Sequence, residues 1–202
     1  NELHRPILKQ MMRPMAILTR ELDPTRLILD ESGGWAFGAR IYLPGQFTPT
    51  KFNDIHNYPG PLINERLFDG YLTIGMTEDE KKAKKLSVRT PGRNVVPGLM
   101  SFVSELGYGS LPNLIDNKRR FHADGNPLTP TYRYHQRLEE GQKRVLHESG
   151  FASLYTDLAQ FCLDQQSIHG AANKRMIEAV RCNPDVSGYC IHALAAGDWI
   201  MG

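Results

Sequence analysis

The pattern of apolar and polar positions along the chain predicts four β-strands, at residues 26–30, 52–58, 99–105 and 188–194. The third of these, Leu-Met-Ser-Phe-Val-Ser-Glu, is apolar over most of its length, and glycines follow it within a few positions. A short apolar run of this kind is typical of a strand that is buried in a parallel sheet. The run ends on Glu105, and the carboxyl ends of strands are where α/β folds place their chemistry.

Between the predicted strands, the apolar residues recur at helical spacing. This spacing predicts a helix over residues 6–22, which we expect Pro14 to kink or split. Thr77, with a glutamate three positions later, is a capping-box signature that predicts a short polar helix after it. The pattern over residues 131–181 is helical throughout.

Strands that alternate with helices favour a parallel α/β sheet. The chain has 202 residues, enough for one sizeable core, so we predict a single domain over residues 1–202. Four strands cannot close a barrel of eight. Two interpretations therefore stay open, a small open sheet or half of a larger structure.

Composition narrows the function classes. The chain has 24 basic and 22 acidic side chains, a balance too even to indicate binding to nucleic acid or to an anionic membrane. No apolar stretch is long enough to span a bilayer. The three cysteines cannot form a closed disulfide framework, and we expect them to be buried free thiols. The seven histidines show no metal-binding spacing, so neither a metal nor a cofactor is predicted.

Polar and aromatic side chains follow each predicted strand at its carboxyl end. They are Asp30 after the first strand, His56 and Tyr58 at the second, Glu105 at the third, and Trp199 beyond the fourth. Because the carboxyl ends of parallel strands meet at one edge of a sheet, these residues predict a binding or catalytic site there. Ordinary roles stay open beside this interpretation: a helix cap or surface ion pair for Asp30, a core imidazole for His56, a turn for Tyr58 and core packing for Trp199.

Four stretches of the chain carry a resemblance to a known family. They are DPTR at 23–26, DIHNYPGP at 54–61, FVSELG at 102–107 and RCNPDVSGY at 181–189. With these motifs in this order, the chain resembles the carboxyl-terminal half of the catalytic TIM barrel, (β/α)8, of glycoside hydrolase family 2. That family holds β-galactosidases, β-glucuronidases and β-mannosidases. The resemblance implies that strands five to eight and their helices lie in this chain, and that the rest of the barrel and amino-terminal β-sandwich domains complete the protein.

The resemblance also implies the two catalytic carboxyls. Glu105, at the end of the seventh strand, would be the nucleophile, and Tyr58 would donate a hydrogen bond to it. Glu2, in the Asn-Glu pair that would close the fourth strand, would be the general acid/base. A retaining glycosidase needs two such carboxyls about 5–5.5 Å apart, one to attack the anomeric carbon and one to protonate the leaving oxygen.

The remaining predicted site residues would bind the sugar. By the resemblance, Asn1 would hydrogen-bond the sugar 2-hydroxyl, His56 would line the sugar subsite, and Trp199 would form part of a hydrophobic floor. Asp30, at the end of the first strand, is included among the substrate-binding residues.

The sequence therefore predicts a retaining, exo-acting β-glycosidase that hydrolyses terminal β-linked sugars without a cofactor. A non-catalytic carbohydrate-binding or assembly module derived from such a barrel is the alternative. Another (β/α)8 glycosidase family with the same two carboxylates on strands four and seven is a further one.

Overall fold

A computed structural model of the chain describes residues 6–30, 32–33, 39–60, 62–92, 95–107, 110–125, 128–155 and 157–191. These residues form two compact units. The first takes in the described residues up to 59, those of 63–107, and 175–191; the second takes in the described residues of 60–62 and 108–174.

The first unit begins with the helix α1 (Pro6–Leu22), which runs through Pro14 without being split. Proline removes one backbone donor and so leaves the carbonyl of Gln10 without its helical partner. Both Gln10 and Pro14 are exposed, so water can bond that carbonyl. The expected split does not occur because the lost hydrogen bond lies on the solvent side.

The apolar stripe of α1 faces solvent. The helix buries Ala16 and Arg20, which are 5% and 1% exposed. The Arg20 guanidinium donates to the backbone carbonyls of Pro24, Arg26 and Gln46 and so ties the helix to the chain that follows it. The apolar side chains that helical spacing groups on the other side are at least half exposed: Ile7, Met11, Met15, Leu18 and Leu22.

Three short strands after α1 form an antiparallel sheet. They are β1 (Ile28–Leu29), β2 (Arg40–Tyr42) and β3 (Thr50–Lys51), paired in that order. The expectation that residues 26–30 join the parallel sheet is wrong for the described residues, because β1 pairs with β2 instead. Strands of two or three residues are too short to show an alternating pattern. The sequence therefore could not indicate which of these strands pair with one another.

A second sheet of three parallel strands lies in the same unit. It consists of β4 (Asn53–Asn57), β5 (Ser101–Leu106) and β6 (Val186–Ile191), in the order β4-β5-β6. The strands predicted at 52–58 and 99–105 are confirmed to within two residues. The last predicted strand begins two residues earlier than expected, and the part of it beyond Ile191 lies outside the described residues.

The apolar sequence of β5 follows from its position in the centre of the parallel sheet. Val103 and Leu106 are fully buried, and so is Ile55 of β4 beside it. On the other side, Phe102 pairs with Gly188 of β6, and a Cβ at Gly188 would lie 2.5 Å from the Phe102 ring. Only glycine lets the aromatic ring cross the neighbouring strand at this point.

Two helices connect β4 to β5: α2 (Glu65–Leu72) and α3 (Glu78–Ala83). The capping box predicted at Thr77 is confirmed, since its side chain accepts from the backbone of Glu80 and the Glu80 carboxylate accepts from the backbone of Thr77. These bonds satisfy backbone donors that the start of a helix would otherwise leave unpaired.

The second unit is helical. It contains α4 (Leu114–Ala123), α5 (Pro130–Glu148), a single 3-10 turn at Phe151–Ser153 and the first part of α6 (Leu158–Cys182). The ring of Phe121 on α4 meets the rings of Tyr132 and His135 on α5 edge-on, with centroids 6.0 and 5.7 Å away. The helical stretch expected over residues 131–181 is therefore confirmed, with breaks between its helices.

The expectation that all three cysteines are buried is wrong for two of them. Cys162 is buried, as expected, but Cys182 and Cys190 are exposed, and all three are free thiols. Cys182 is the last residue of α6 and Cys190 lies in the exposed carboxyl end of β6. Position at the end of an element, rather than the apolar pattern around them, decides their exposure.

Candidate active site

The carboxyl ends of β4 and β5 bring together three of the residues that the sequence predicts for the site. His56 on β4 and Glu105 on β5 stand opposite each other as partners in the parallel pairing. Tyr58 follows β4 directly. Because side chains two positions apart in an extended chain point to the same face, His56 and Tyr58 can both approach Glu105.

Glu105 accepts a hydrogen bond from the Tyr58 hydroxyl, which reaches its Oε2. Nδ1 of His56 lies 3.4 Å from the same oxygen. The side chain of Glu105 is 29% exposed, so it is partly withdrawn from water while remaining accessible. Both contacts converge on Oε2 and so fix the orientation of the carboxylate.

His56 is held on both sides of its ring. Its side chain is only 12% exposed. Nε2 lies 3.0 Å from Oγ of Ser32, in the segment after β1. The rings of His56 and Tyr58 meet edge-to-face with centroids 6.3 Å apart. The imidazole therefore has a defined direction relative to Glu105.

An irregularity in the pairing of β4 with β5 lets two neighbouring residues of β5 face β4. Asp54 is opposite Phe102 and His56 is opposite Glu105, so three steps along β5 match two along β4. In a regular strand, Ser104 and Glu105 would point to opposite faces. Here Ser104 bonds Asp54 and Glu105 bonds Tyr58, the kind of redirection that bulges produce beside functional sites.

Asp54 fastens the segment after β1 to the parallel sheet. It is 8% exposed and accepts from the hydroxyl of Ser104 and, at 2.7 Å, from the backbone N–H of Gly33. A buried carboxylate with two donors is satisfied where it stands. The sequence did not assign Asp54, Ser104 or Ser32 to the site. The available signal for Asp54 was its position two residues before His56, on the same face of the strand.

The strand end is also supported from α2. The hydroxyl of Tyr71, a fully buried residue, donates to Oδ1 of Asn57 at 2.9 Å. Burial raises the pKa of the Tyr71 phenol, which therefore stays protonated and able to donate. Asn57 lies between His56 and Tyr58, so this bond holds the backbone that carries both of them.

Asp30 is not part of the group around Glu105. Its Oδ1 accepts from the backbone N–H of Arg40 at 2.8 Å, within the antiparallel sheet. Burial raises the pKa of Asp30, and the Arg40 N–H and positive charge offset only part of that rise. Its hydrogen bonds in the described structure thus serve β1 and β2, and a substrate-binding role for it stays a prediction.

Asn1, Glu2 and Trp199 lie outside the described residues, so their predicted roles stay predictions. Within the part of the chain that the structure describes, no group of three or more His, Cys, Asp or Glu side chains could hold a metal ion. Within the same residues, no helix is long and apolar enough to cross a bilayer.

The contacts of Tyr58 and His56 hold the Glu105 carboxylate in a defined orientation. Glu105 is partly exposed and is oriented by a phenol and an imidazole, as a nucleophile or a general base must be. Comparison with known protein families, curated proteins and solved structures found no match to this chain.

Proposed function

We propose that this chain is the carboxyl-terminal half of the catalytic barrel of a retaining, exo-acting β-glycosidase similar to glycoside hydrolase family 2. In this proposal β4, β5 and β6 correspond to the sixth, seventh and eighth barrel strands. The parallel order β4-β5-β6, with helices in each connection, supports the proposal, because a (β/α)8 barrel pairs its strands in sequence order.

The observation that carries the proposal is the hydrogen bond from Tyr58 to Glu105. The two residues lie 47 positions apart and belong to the carboxyl ends of neighbouring parallel strands. Active sites of barrels are built at that end of the strands. A partly exposed carboxylate at that end of the strands is placed as a glycosidase nucleophile must be, and Tyr58 orients it as the resemblance implies.

The reaction needs a second carboxyl, for which we propose Glu2. An oxygen of Glu105 bonds to the anomeric carbon while the glycosidic bond breaks, and Glu2 gives its proton to the leaving oxygen. Water then gives a proton to Glu2, and its oxygen attacks the anomeric carbon and releases Glu105. The product keeps the β configuration because the anomeric carbon is inverted twice.

Other residues would bind the terminal sugar. His56, 12% exposed beside Glu105, would line the subsite, and Asp30 would bind the sugar from the end of β1. Asn1 would hydrogen-bond the 2-hydroxyl, and Trp199 would form part of the hydrophobic floor.

The proposal includes the rest of the barrel, with amino-terminal β-sandwich domains, as a partner of this chain. The exposed apolar stripe of α1, from Ile7 to Leu22, supports it. An apolar stripe several turns long is normally covered by another element.

Covalent trapping tests the proposal. The protein that contains this chain is incubated with 2,4-dinitrophenyl 2-deoxy-2-fluoro-β-glycosides of galactose, glucuronate and mannose, and its peptides are analysed by mass spectrometry. We expect a glycosyl adduct on Glu105 with one of these sugars and none in Glu105→Gln. Glu148→Gln, which changes an exposed acid of α5, serves as the control and should be labelled like the wild type.

Two results would count against the proposal. An adduct on a different acid would assign the nucleophile elsewhere. Sugar binding without an adduct on any residue, together with unchanged binding in Glu105→Gln, would favour the non-catalytic carbohydrate-binding module.

A further inference from the structure

We propose that Ser32 is a positioning residue that holds His56 with a proton on Nδ1, directed at Glu105. Its effect on turnover rests on the proposed glycosidase function. Its effect on the imidazole does not, because that follows from the contacts of the ring alone.

The contacts of His56 assign different partners to its two nitrogens. Nδ1 lies 3.4 Å from Oε2 of Glu105, and Nε2 lies 3.0 Å from Oγ of Ser32. An ionised carboxylate only accepts hydrogen bonds, whereas a serine hydroxyl both donates and accepts. A lone pair on Nδ1 would face the carboxylate oxygen and repel it, and a lone pair on Nε2 is stabilised by the donor that Ser32 supplies. The two contacts together therefore favour a neutral ring with its proton on Nδ1, and each contributes part of the preference.

Ser32 then has a defined role. With the proton on Nδ1, the lone pair of Nε2 needs a donor, and the Ser32 hydroxyl is placed to supply it. If the ring takes up a second proton, the same hydroxyl accepts from Nε2–H instead. A side chain that could only donate would not match both protonation states of the ring.

The position of Ser32 is itself fixed from the sheet. The next residue, Gly33, is buried and donates its backbone N–H to Asp54 at 2.7 Å. Asp54 in turn accepts from Ser104, the neighbour of Glu105. Ser32 is therefore held relative to the strands that carry His56 and Glu105, although its own side chain is exposed.

Glu105, Ser32 and Tyr58 contact the imidazole in the part of the chain that the structure describes. Glu105 lies 3.4 Å from Nδ1 and Ser32 lies 3.0 Å from Nε2, and the Tyr58 ring meets the imidazole edge-to-face.

The test is a long-range ¹H–¹⁵N NMR spectrum of the imidazoles in the ¹⁵N-labelled protein that contains this chain. It is recorded in a mildly basic buffer, because the two tautomers are distinguished only in the neutral ring. His56→Gln identifies the signals of His56. We expect the Nδ1–H tautomer in the wild type, a mixture with Nε2–H in Ser32→Ala, and a return toward Nδ1–H in Ser32→Thr, which restores a hydroxyl. Backbone amide signals of β4 and β5 report whether the sheet is intact.

Two results would overturn the inference. One is a wild-type ring that carries its proton on Nε2. The other is a Ser32→Ala ring that keeps the wild-type tautomer while the sheet signals are unchanged. The wild-type measurement tests the tautomer itself, and Ser32→Thr, which keeps a hydroxyl, provides a second variant if Ser32→Ala fails to fold.

Turnover provides the second readout. In the active protein we expect Ser32→Ala to lower kcat by roughly 5- to 10-fold, the effect of one neutral hydrogen bond, and Ser32→Thr to recover most of it. An adduct on Glu105 with an unaffected tautomer would refute this inference and leave the glycosidase proposal standing. If the tautomers are as expected but no adduct forms on Glu105, the inference about Ser32 stands and the glycosidase proposal fails.

Discussion

The hydroxyl of Tyr58 donates a hydrogen bond to the carboxylate of Glu105, across two neighbouring strands of a parallel sheet. His56 approaches the same carboxylate oxygen from the strand that precedes Tyr58. Two side chains of one motif thus converge on a carboxylate oxygen of another.

Replacing Tyr58 with Phe keeps the aromatic ring beside His56 and removes the donor to Glu105. Hydrogen bonds to charged groups contribute about 1.5–3 kcal/mol, so we expect kcat on an aryl β-glycoside to fall about 10- to 100-fold. Steady-state kinetics measures the change. Tyr134→Phe, which removes a hydroxyl from the surface of α5, should leave kcat unchanged. Equal kcat values for Tyr58→Phe and the wild type would show that the Tyr58 hydroxyl has no role in turnover.

Replacing Asp30 with Asn should stabilise the protein at neutral pH. Burial raises the pKa of Asp30 above its ordinary 3.8, so the folded state holds this proton more tightly than the unfolded state. Stability is therefore lost as the pH rises from the ordinary pKa through the raised one. Asn keeps the oxygen that accepts from Arg40 and removes the charge.

We expect a gain in Tm of about 1–2 °C at pH 7, kept small by solvent screening, and no gain at about pH 3. Scanning calorimetry at the two pH values measures it. Asp79→Asn, at a side chain that is 96% exposed, is the control and should show no such pH-dependent gain. A lower Tm for Asp30→Asn at pH 7 would contradict the prediction.

The ionised Glu139 carboxylate should add to the free energy of unfolding at neutral pH, and this contribution should be lost in acid. Burial tends to raise its pKa, but Lys118 and Lys143, 2.6 and 2.5 Å away, hold the pKa below its ordinary 4.5. Because the pKa of Glu139 is lower in the folded state than in the unfolded state, its charge stabilises the fold at pH values above the unfolded-state pKa. This stabilisation is lost as the pH falls through the folded-state pKa.

Glu139→Gln should therefore reduce the free energy of unfolding by about 1–2 kcal/mol at pH 7, with a smaller difference at about pH 3. Urea denaturation at both pH values measures this. Glu140→Gln changes the neighbouring exposed acid, and its effect should stay within about 0.5 kcal/mol. An effect of Glu139→Gln that is the same at both pH values would rule out the charge as its cause.

Replacing Asn183 with Ala should be strongly destabilising. Asn183 is 2% exposed, and its amide donates to the carbonyls of Tyr71 and Ile74 at 2.9 and 3.0 Å. Its Oδ1 accepts from the backbone of Asp185. Alanine leaves these buried groups unpaired, so we expect a loss of about 2–4 kcal/mol in urea denaturation.

Cys182→Ala is the matched control for Asn183→Ala. It changes the preceding residue, which is exposed at the end of α6, and should alter stability by less than about 0.5 kcal/mol. Similar losses in the two variants would show that the helix end, rather than the Asn183 amide, is responsible.

Part of the candidate site could be predicted from the sequence because strand ends are local features. The apolar run that ends on Glu105 and the alternation of His56 with Tyr58 show where strands end and which way side chains point. Parallel strands bring their carboxyl ends to one edge, so a site at that edge follows. The Ser32 and Asp54 contacts do not follow, because they join the segment after β1 to β4 through a backbone donor and a hydroxyl that have no periodic signal.

The sequence by itself determined the local features: the capping box at Thr77, the buried strand β5 and the polar residues at the strand ends. Each arises from interactions within a few residues of the chain. The tertiary structure alone decided that β1 pairs with β2, that the apolar stripe of α1 faces solvent, and that an irregular pairing turns both Ser104 and Glu105 toward β4. These depend on which distant segments pair and in what register, a choice made by the free energy of the whole packed chain rather than by any one stretch of it.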